Sequence, residues 1–215
     1  MRLFPLLVLI LIGGGEALEL KLPAPQLRGD LSLEEVLSHR RSVRSFRKEG
    51  LTLKEISQLL WAAQGITDPR GFRTAPSAGA LYPLEVYLVV GKAEGLGSGV
   101  YHYLPKGHKL VKVKEGDVRS ALCRAALGQP WVGEAPVVFC IAAEYERTTA
   151  KYGPRGIRYV HLEAGHAAQN LCLQAVSLGL GSVTVGAFGD QEVQRILGLP
   201  QRHRPLYLIP VGKRR

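Results

Sequence analysis

Residues 39–46 read His-Arg-Arg-Ser-Val-Arg-Ser-Phe, three guanidinium groups set among hydroxyls in one short stretch. Arginine offers planar, permanently charged donor forks suited to phosphate and to polarised carbonyl oxygens. Three of them this close repel one another unless an anion or solvent answers them. Arg40, Ser42 and Arg44 alternate, so in extended backbone their side chains share one face and can reach one ligand together. Read alone, the run serves as readily as a solvated basic loop. Its surroundings are more telling. Upstream, Ser32 and Glu35 form a capping box that predicts a helix to about His39. Downstream, Thr52 and Glu55 form a second, opening a helix through Trp61-Ala62-Ala63 with Gly65 as its stop. The arginine stretch is thus a loop held between two anchored helices, the kind of loop that carries function.

Beyond the turn-rich Asp68-Pro69-Arg70-Gly71 comes Thr74-Ala75-Pro76-Ser77-Ala78-Gly79-Ala80-Leu81-Tyr82-Pro83. Its small residues let a backbone approach a ligand closely, and Pro83 closes it. Glu85–Val90 reads as a strand, residues 100–113 as a hairpin around Pro105-Lys106-Gly107-His108, residues 117–127 as a helix and residues 136–143 as a buried strand. From Tyr159 to Leu178 the pattern is helical and apolar on nearly all sides, as for a helix central to a core or interface. A short strand over 182–185 leads into Gly186-Ala187-Phe188-Gly189, which is either a plain turn or a source of free backbone N–H groups. Asp190 is read as the cap of a further helix to Leu197, and residues 205–211 as a last strand. Helices and strands mix without repeats, so the class is α+β.

Composition bounds the rest. The 215 residues suit one domain with a real core, and 46% apolar with 21% charged content excludes wholesale disorder. Net charge is +10, yet the basic residues are dispersed, with no zinc-finger spacing and no aromatic RNA-binding signature, so nucleic acid is not an expected partner. Cys123, Cys140 and Cys172 lie far apart and read as buried free thiols, and the six histidines show no metal-ligand spacing. Arg2, the apolar run Leu3–Ile12 and Gly13-Gly14-Gly15-Glu16-Ala17 follow the pattern of a secretory signal cut after Ala17, too short to cross a bilayer as a helix. The alternative is a buried N-terminal element. Domain boundaries follow: 1–17 signal or membrane anchor, 18–30 an extended tether rich in proline, 31–215 the folded domain. The expected location is the periplasm or cell surface if the signal is real, and otherwise the cytoplasm.

Four stretches, Arg40–Phe46, Pro76–Pro83, Arg158–Ala175 and the run from Gly179 through Phe188 to the Leu-Gly-Leu-Pro at 197–200, together resemble the nitroreductase-like flavoproteins, and most closely their SagB/ThcOx dehydrogenase branch, which includes azoline dehydrogenases of modified peptides. The resemblance spans roughly residues 30–212 in family order. It implies a three-layer sandwich with a central, mainly antiparallel sheet flanked by helices, in a swapped or interlocked homodimer with FMN at the subunit interface. It further implies that Arg40 and Ser42 bind phosphate or ribityl, that Arg44 faces the N1/C2 carbonyl edge, and that Arg41 sits nearby. Pro76, Ser77 and Ala78 would contact flavin from the other subunit, Gly186 and Ala187 would lie along N5, and Lys213 and Arg215 would close on the phosphate. At Ala80, Leu81 and Tyr82 the chain departs from the Asn-x-Gln turn of typical nitroreductases.

Lys151-Tyr152 resembles the acid/base pair of the azoline dehydrogenases; read without that resemblance, it is a surface lysine beside a packing tyrosine. His166, Gln169 and Asn170 need partners on the long helix, because an unpaired buried polar group costs about 1–3 kcal/mol. Trp61 and Trp131 read as core or rim. The expected activity is FMN-dependent oxidoreduction on a small molecule or peptide, with hydride passing through flavin N5 in a ping-pong cycle. Its rivals are azoline dehydrogenation with Lys151 and Tyr152 as acid and base, flavin binding without turnover, and a basic domain tethered to a membrane surface through the N-terminus.

Overall fold

The computed structural model describes residues 19–215; the predicted signal segment 1–17 lies outside them. Strand β1 (Glu19–Lys21) is followed by helices α1 (Leu33–His39) and α2 (Leu53–Gln64), strands β2 (Leu84–Val90), β3 (Gly99–Leu104) and β4 (Lys109–Glu115), helices α3 (Arg119–Ala125) and α4 (Pro130–Glu134), strand β5 (Val137–Ala143), helices α5 (Glu146–Tyr152) and α6 (Arg155–Ser177), strand β6 (Leu180–Ser182), helix α7 (Asp190–Leu197) and strand β7 (Arg204–Lys213). The strands form one antiparallel sheet in the order β1-β4-β3-β2-β5-β7-β6. Both capping boxes close as their spacing predicts.

Period-two alternation sorts the sheet's side chains into two cores. Val86, Leu88, Val90, Phe139, Ile141 and Ile209 face α2 and α6. Tyr87, Val89, Val138, Cys140 and Leu208 face α3, α4 and α7. The result is the expected three-layer α+β sandwich, whose central strands read as continuous apolar runs because both faces are buried.

The structure amends several expectations. The long helix begins at Arg155, and one face of it is open: Ile157 and Leu162 are 45% and 54% exposed. Helices α4 and α5 were not legible from periodicity. Asp190 is the first residue of α7 rather than its cap; Gly189 holds the cap position without a side-chain bond. Cys123 is half-buried, unlike the fully buried Cys140 and Cys172. The extended segment after residue 18 is docked: β1 pairs with β4, Leu22 is buried, and Gln26 and Gln58 exchange hydrogen bonds at 2.8 and 3.0 Å. No helix among the described residues is long and apolar enough to cross a membrane.

Candidate functional site

The arginine loop reaches its place through backbone pairing with segments far away in sequence. Ser42 bridges Ser182 in parallel, with the Val43 N–H donating to the Ser182 carbonyl at 2.9 Å. Phe46 bridges Arg214, and the Arg47 N–H donates to the Lys213 carbonyl at 2.9 Å. Val43 fills the space over Gly181, where an added Cβ would stand 2.6 Å from its Cγ1. The ends of β6 and β7 thus hold the arginine loop at both ends, with Ser182 beside Ser42 and Val43, and Lys213, Arg214 and Arg215 beside Phe46 and Arg47.

Among the described residues, no carboxylate lies within ion-pair distance of Arg40, Arg41 or Arg44. Arg41 donates to the Ser38 and Arg40 carbonyls at 3.0 and 2.7 Å, closing the carbonyl end of α1. Arg40 lies towards α6: burial pushes the Cys172 thiol up, and Ser182 and the Arg40 charge oppose it. Arg44 rests over the Trp131 ring, 5.4 Å from its centroid, a cation–π contact. Lys213 is paired with the Glu55 carboxylate, and Arg215 donates to the Phe46 carbonyl at 3.1 Å. The buried Arg214 Nε has no hydrogen-bond partner among the described residues. Gly186 and Ala187 are exposed just after Val185, which pairs with Leu208. Gln129 Nε2 steadies them by donating to the Ala187 carbonyl at 2.9 Å, and their own N–H groups meet no acceptor among the described residues.

A second group forms around the Pro76–Tyr82 segment. It winds through a tight turn at Ala78–Ala80, with positive φ at Gly79 (63°), Ala80 (54°) and Tyr82 (48°). Two non-glycine residues in the left-handed region within three positions represent strain of about 1–2 kcal/mol each, of the kind that collects at functional sites. The Tyr82 N–H donates to Ser77 Oγ at 2.9 Å, which ties the turn across. Lys151 and Tyr152, at the end of α5, bring their polar ends to this turn: the Cβ position of Gly79 is 2.8 Å from the Tyr152 hydroxyl and 3.1 Å from Lys151 Nζ. Beneath it, on α6, lies Glu163. Its carboxyl is 3% exposed and its Oε1 has no hydrogen-bond partner among the described residues. Burial pushes it up to about 7, with Ser77 and the Arg73 charge opposing. Arg73 stacks on Tyr82 at 4.5 Å and donates to Gln64 Oε1 at 2.7 Å.

The predicted site residues therefore fall into two groups. Arg40–Arg44, Gly186, Ala187, Lys213 and Arg215 form one; Pro76, Ser77, Ala78, Lys151 and Tyr152 form the other. Helix α6 passes both, at Cys172 and Glu163, nine residues or about 14 Å apart along its axis. Asn170 donates to the Thr74 carbonyl at 3.2 Å, while His166 and Gln169 are exposed. Sequence reasoning missed Trp131, Gln129, Arg73 and Glu163. A lone acid within an apolar helix pattern was the available signal for Glu163. It also missed Glu85, Glu144 and His203, whose ligand atoms approach one another closely enough for a metal. There Arg147 donates to both carboxylates, so a guanidinium already holds the place a cation would take.

The sequence and fold are similar to those of known proteins. A nitroreductase-like protein of Methanocaldococcus jannaschii is 50% identical over 200 residues, 93% of this chain and 98% of its own. The microcin B17-processing protein of Escherichia coli is 33% identical over 166 residues, 72% of this chain; the match spans only 59% of that relative's length. A solved nitroreductase structure from Ralstonia eutropha superposes with a TM-score of 0.81 at 29% identity, covering 95% of this chain and 92% of that one. Residues 37–213 match the Nitroreductase family itself, and with the sandwich and ordered motifs in place, the chain belongs to that family of oxidoreductases.

Proposed function

We propose that the protein is an FMN-dependent oxidoreductase, a homodimer that passes hydride through flavin N5 in a ping-pong cycle. The observation that carries this reading is the group of cations where loop 40–46 meets the ends of β6 and β7, in which Arg40, Arg41 and Arg44 have no carboxylate partner among the described residues while Lys213 is held by Glu55. Such a group fits a phosphorylated anionic ligand. The free N–H groups of Gly186 and Ala187 and the stacked Arg44 fit the polar edge of an aromatic ring system. FMN, when bound, supplies the hydride chemistry itself. On this reading Arg40 and Ser42 bind the phosphate or ribityl chain, with Arg41, Lys213 and Arg215 around it. Arg44, supported by Trp131, answers the negative charge that collects at the N1/C2 edge on reduction. The separation of the two residue groups along α6 supports a shared site, in which Pro76, Ser77 and Ala78 of a second copy complete the pocket.

With no dinucleotide fingerprint in the chain, a reduced nicotinamide would visit the flavin face as a transient donor. If residues 1–17 direct export or anchor the protein to a membrane, a quinone or similar carrier takes that role. Absorption spectroscopy of the purified full-length chain tests the reading. The expected result is flavin bands, with one FMN released per chain on denaturation, and their loss in the Arg40→Ala/Arg44→Ala double variant. A colourless wild-type protein that also refuses added FMN refutes it.

A second reading is favoured by the meeting of Lys151 and Tyr152 over Gly79 and by the relative named for microcin processing. In it the protein is an azoline-type dehydrogenase of a modified peptide, with Lys151 and Tyr152 exchanging the substrate proton. The Lys151→Ala/Tyr152→Phe variant is then expected to lose peptide dehydrogenation while oxidising reduced nicotinamide almost normally. An equal fall in both activities removes the acid/base assignment.

A further inference from the structure

Glu163 is unused by any role assigned above, yet its setting is unusual. It is a carboxyl on α6, 3% exposed, with Oε1 unpartnered among the described residues. Leaving a carboxylate oxygen buried without a donor is costly, so a neighbour must answer it when it ionises or a proton must occupy it. The groups that weigh on its charge come from the segment between α2 and β2, whose Ala78–Ala80 turn packs against α6: the Ser77 hydroxyl and the Arg73 guanidinium. Arg73 is itself divided among Gln64, Tyr82 and the more distant Glu85 and Arg147 charges. From α5, Lys151 and Tyr152 direct their polar ends to Gly79.

Ser77 is the informative partner. A serine hydroxyl has one donor and two acceptor positions. One acceptor position is taken by the Tyr82 N–H at 2.9 Å. The remaining donor and acceptor can each be turned inward to Glu163 or outward to a ligand, and the protonation of Glu163 decides which. We propose that Glu163 is a positioning residue that sets the polarity Ser77 presents to the flavin. With the carboxyl ionised, the Ser77 O–H donates inward to it and only a lone pair faces out. With the carboxyl protonated, its O–H donates to the second lone pair of Ser77, and the Ser77 O–H is released to donate outward to an oxygen or nitrogen of the ligand. One proton on Glu163 is thereby exchanged for one donor at the pocket wall, and no covalent bond changes. Burial, which holds the carboxyl near neutral pH, puts this exchange in the working range.

This inference rests on the flavin reading, because Ser77 faces a ligand only if the Pro76–Tyr82 segment lines the pocket. FMN affinity of the full-length protein, followed by quenching of flavin fluorescence between about pH 5.5 and 8.5, tests both. The flavin phosphate also titrates in this range, so the readout is the difference between wild type and Glu163→Gln, whose amide donates to Ser77 at every pH. Wild-type affinity is expected to fall about three- to tenfold more than that of the Glu163→Gln variant as pH rises through 7, the worth of one hydrogen bond. Ser77→Ala is expected to bind more weakly at low pH and to share the flatter profile. If wild type and Glu163→Gln bind FMN with a common pH profile, the inference is overturned and the flavin reading stands. If neither binds FMN at any pH, the flavin reading falls and takes this inference with it.

Discussion

Two residues show how surroundings convert ordinary side chains into instruments. Arg44 is one of several arginines by sequence, but its guanidinium rests over the Trp131 ring, 5.4 Å from the centroid. Glu163 is one acid among eighteen Asp and Glu, but burial lifts it from the usual carboxylate range to about 7. The stability consequence has a definite sign. An acid whose folded pKa is raised keeps its proton where the unfolded chain has lost it. The folded state is therefore favoured in full below the ordinary value near 4.5, and the contribution is lost as pH climbs through 7. The loss reaches up to about 3 kcal/mol. Denaturant unfolding of the flavin-free protein at pH 5 and pH 8 should show wild type losing more stability than Glu163→Gln over this interval. Equal losses would show that Glu163 does not titrate there.

At the scale of elements, the site depends on how short pieces are held rather than on their propensities. Loop 40–46 has almost no regular structure of its own, yet it is bound edge-on to β6 and β7 through Ser42 and Phe46. Gly181 is what permits the close approach. A β-carbon there meets the β-branched Val43 at under 3 Å, a contact neither backbone nor side chain can relax cheaply. Gly181→Ala is therefore expected to cost about 1–3 kcal/mol of stability and to weaken flavin binding at least tenfold by displacing Arg40–Arg44. Thermal melts and FMN titration check this together. Normal binding in a normally stable variant would show that the loop does not rely on that seat. Helix α5 makes the complementary point, because seven residues too short for a periodic signal carry Lys151 and Tyr152 to a strained turn from the other side.

The whole molecule holds two groups of candidate site residues set apart along α6, and an α6 face on which Ile157 and Leu162 remain substantially open. On the proposed reading, a second copy closing over that face would cover apolar surface and join the two groups at once. Light scattering of the full-length protein is expected to give twice the chain mass, and mixing an Arg40→Ala/Arg44→Ala chain with a Ser77→Ala chain should restore one intact flavin site per heterodimer. A monomer that binds FMN at full stoichiometry would overturn the shared-site arrangement.

The sequence by itself determined both capping boxes, the hairpin, the buried strands and the arginine loop between anchored helices. Those features arise from local hydrogen bonding and from side-chain periodicity, which a chain displays residue by residue. It also carried enough ordered motifs to indicate the family. Only the tertiary structure decided that Lys213–Arg215 lie against Phe46 and Arg47 at the end of the arginine loop, that Trp131 stacks with Arg44, that residues 19–26 dock onto the sheet edge and α2, and that Glu163 is buried on the helix that packs against the Ala78–Ala80 turn. Each of these is a meeting of segments tens to more than a hundred residues apart, set by strand order and by what α6 buries. No local pattern records such distances, because the energy that brings the segments together comes from the shared core rather than from either segment alone.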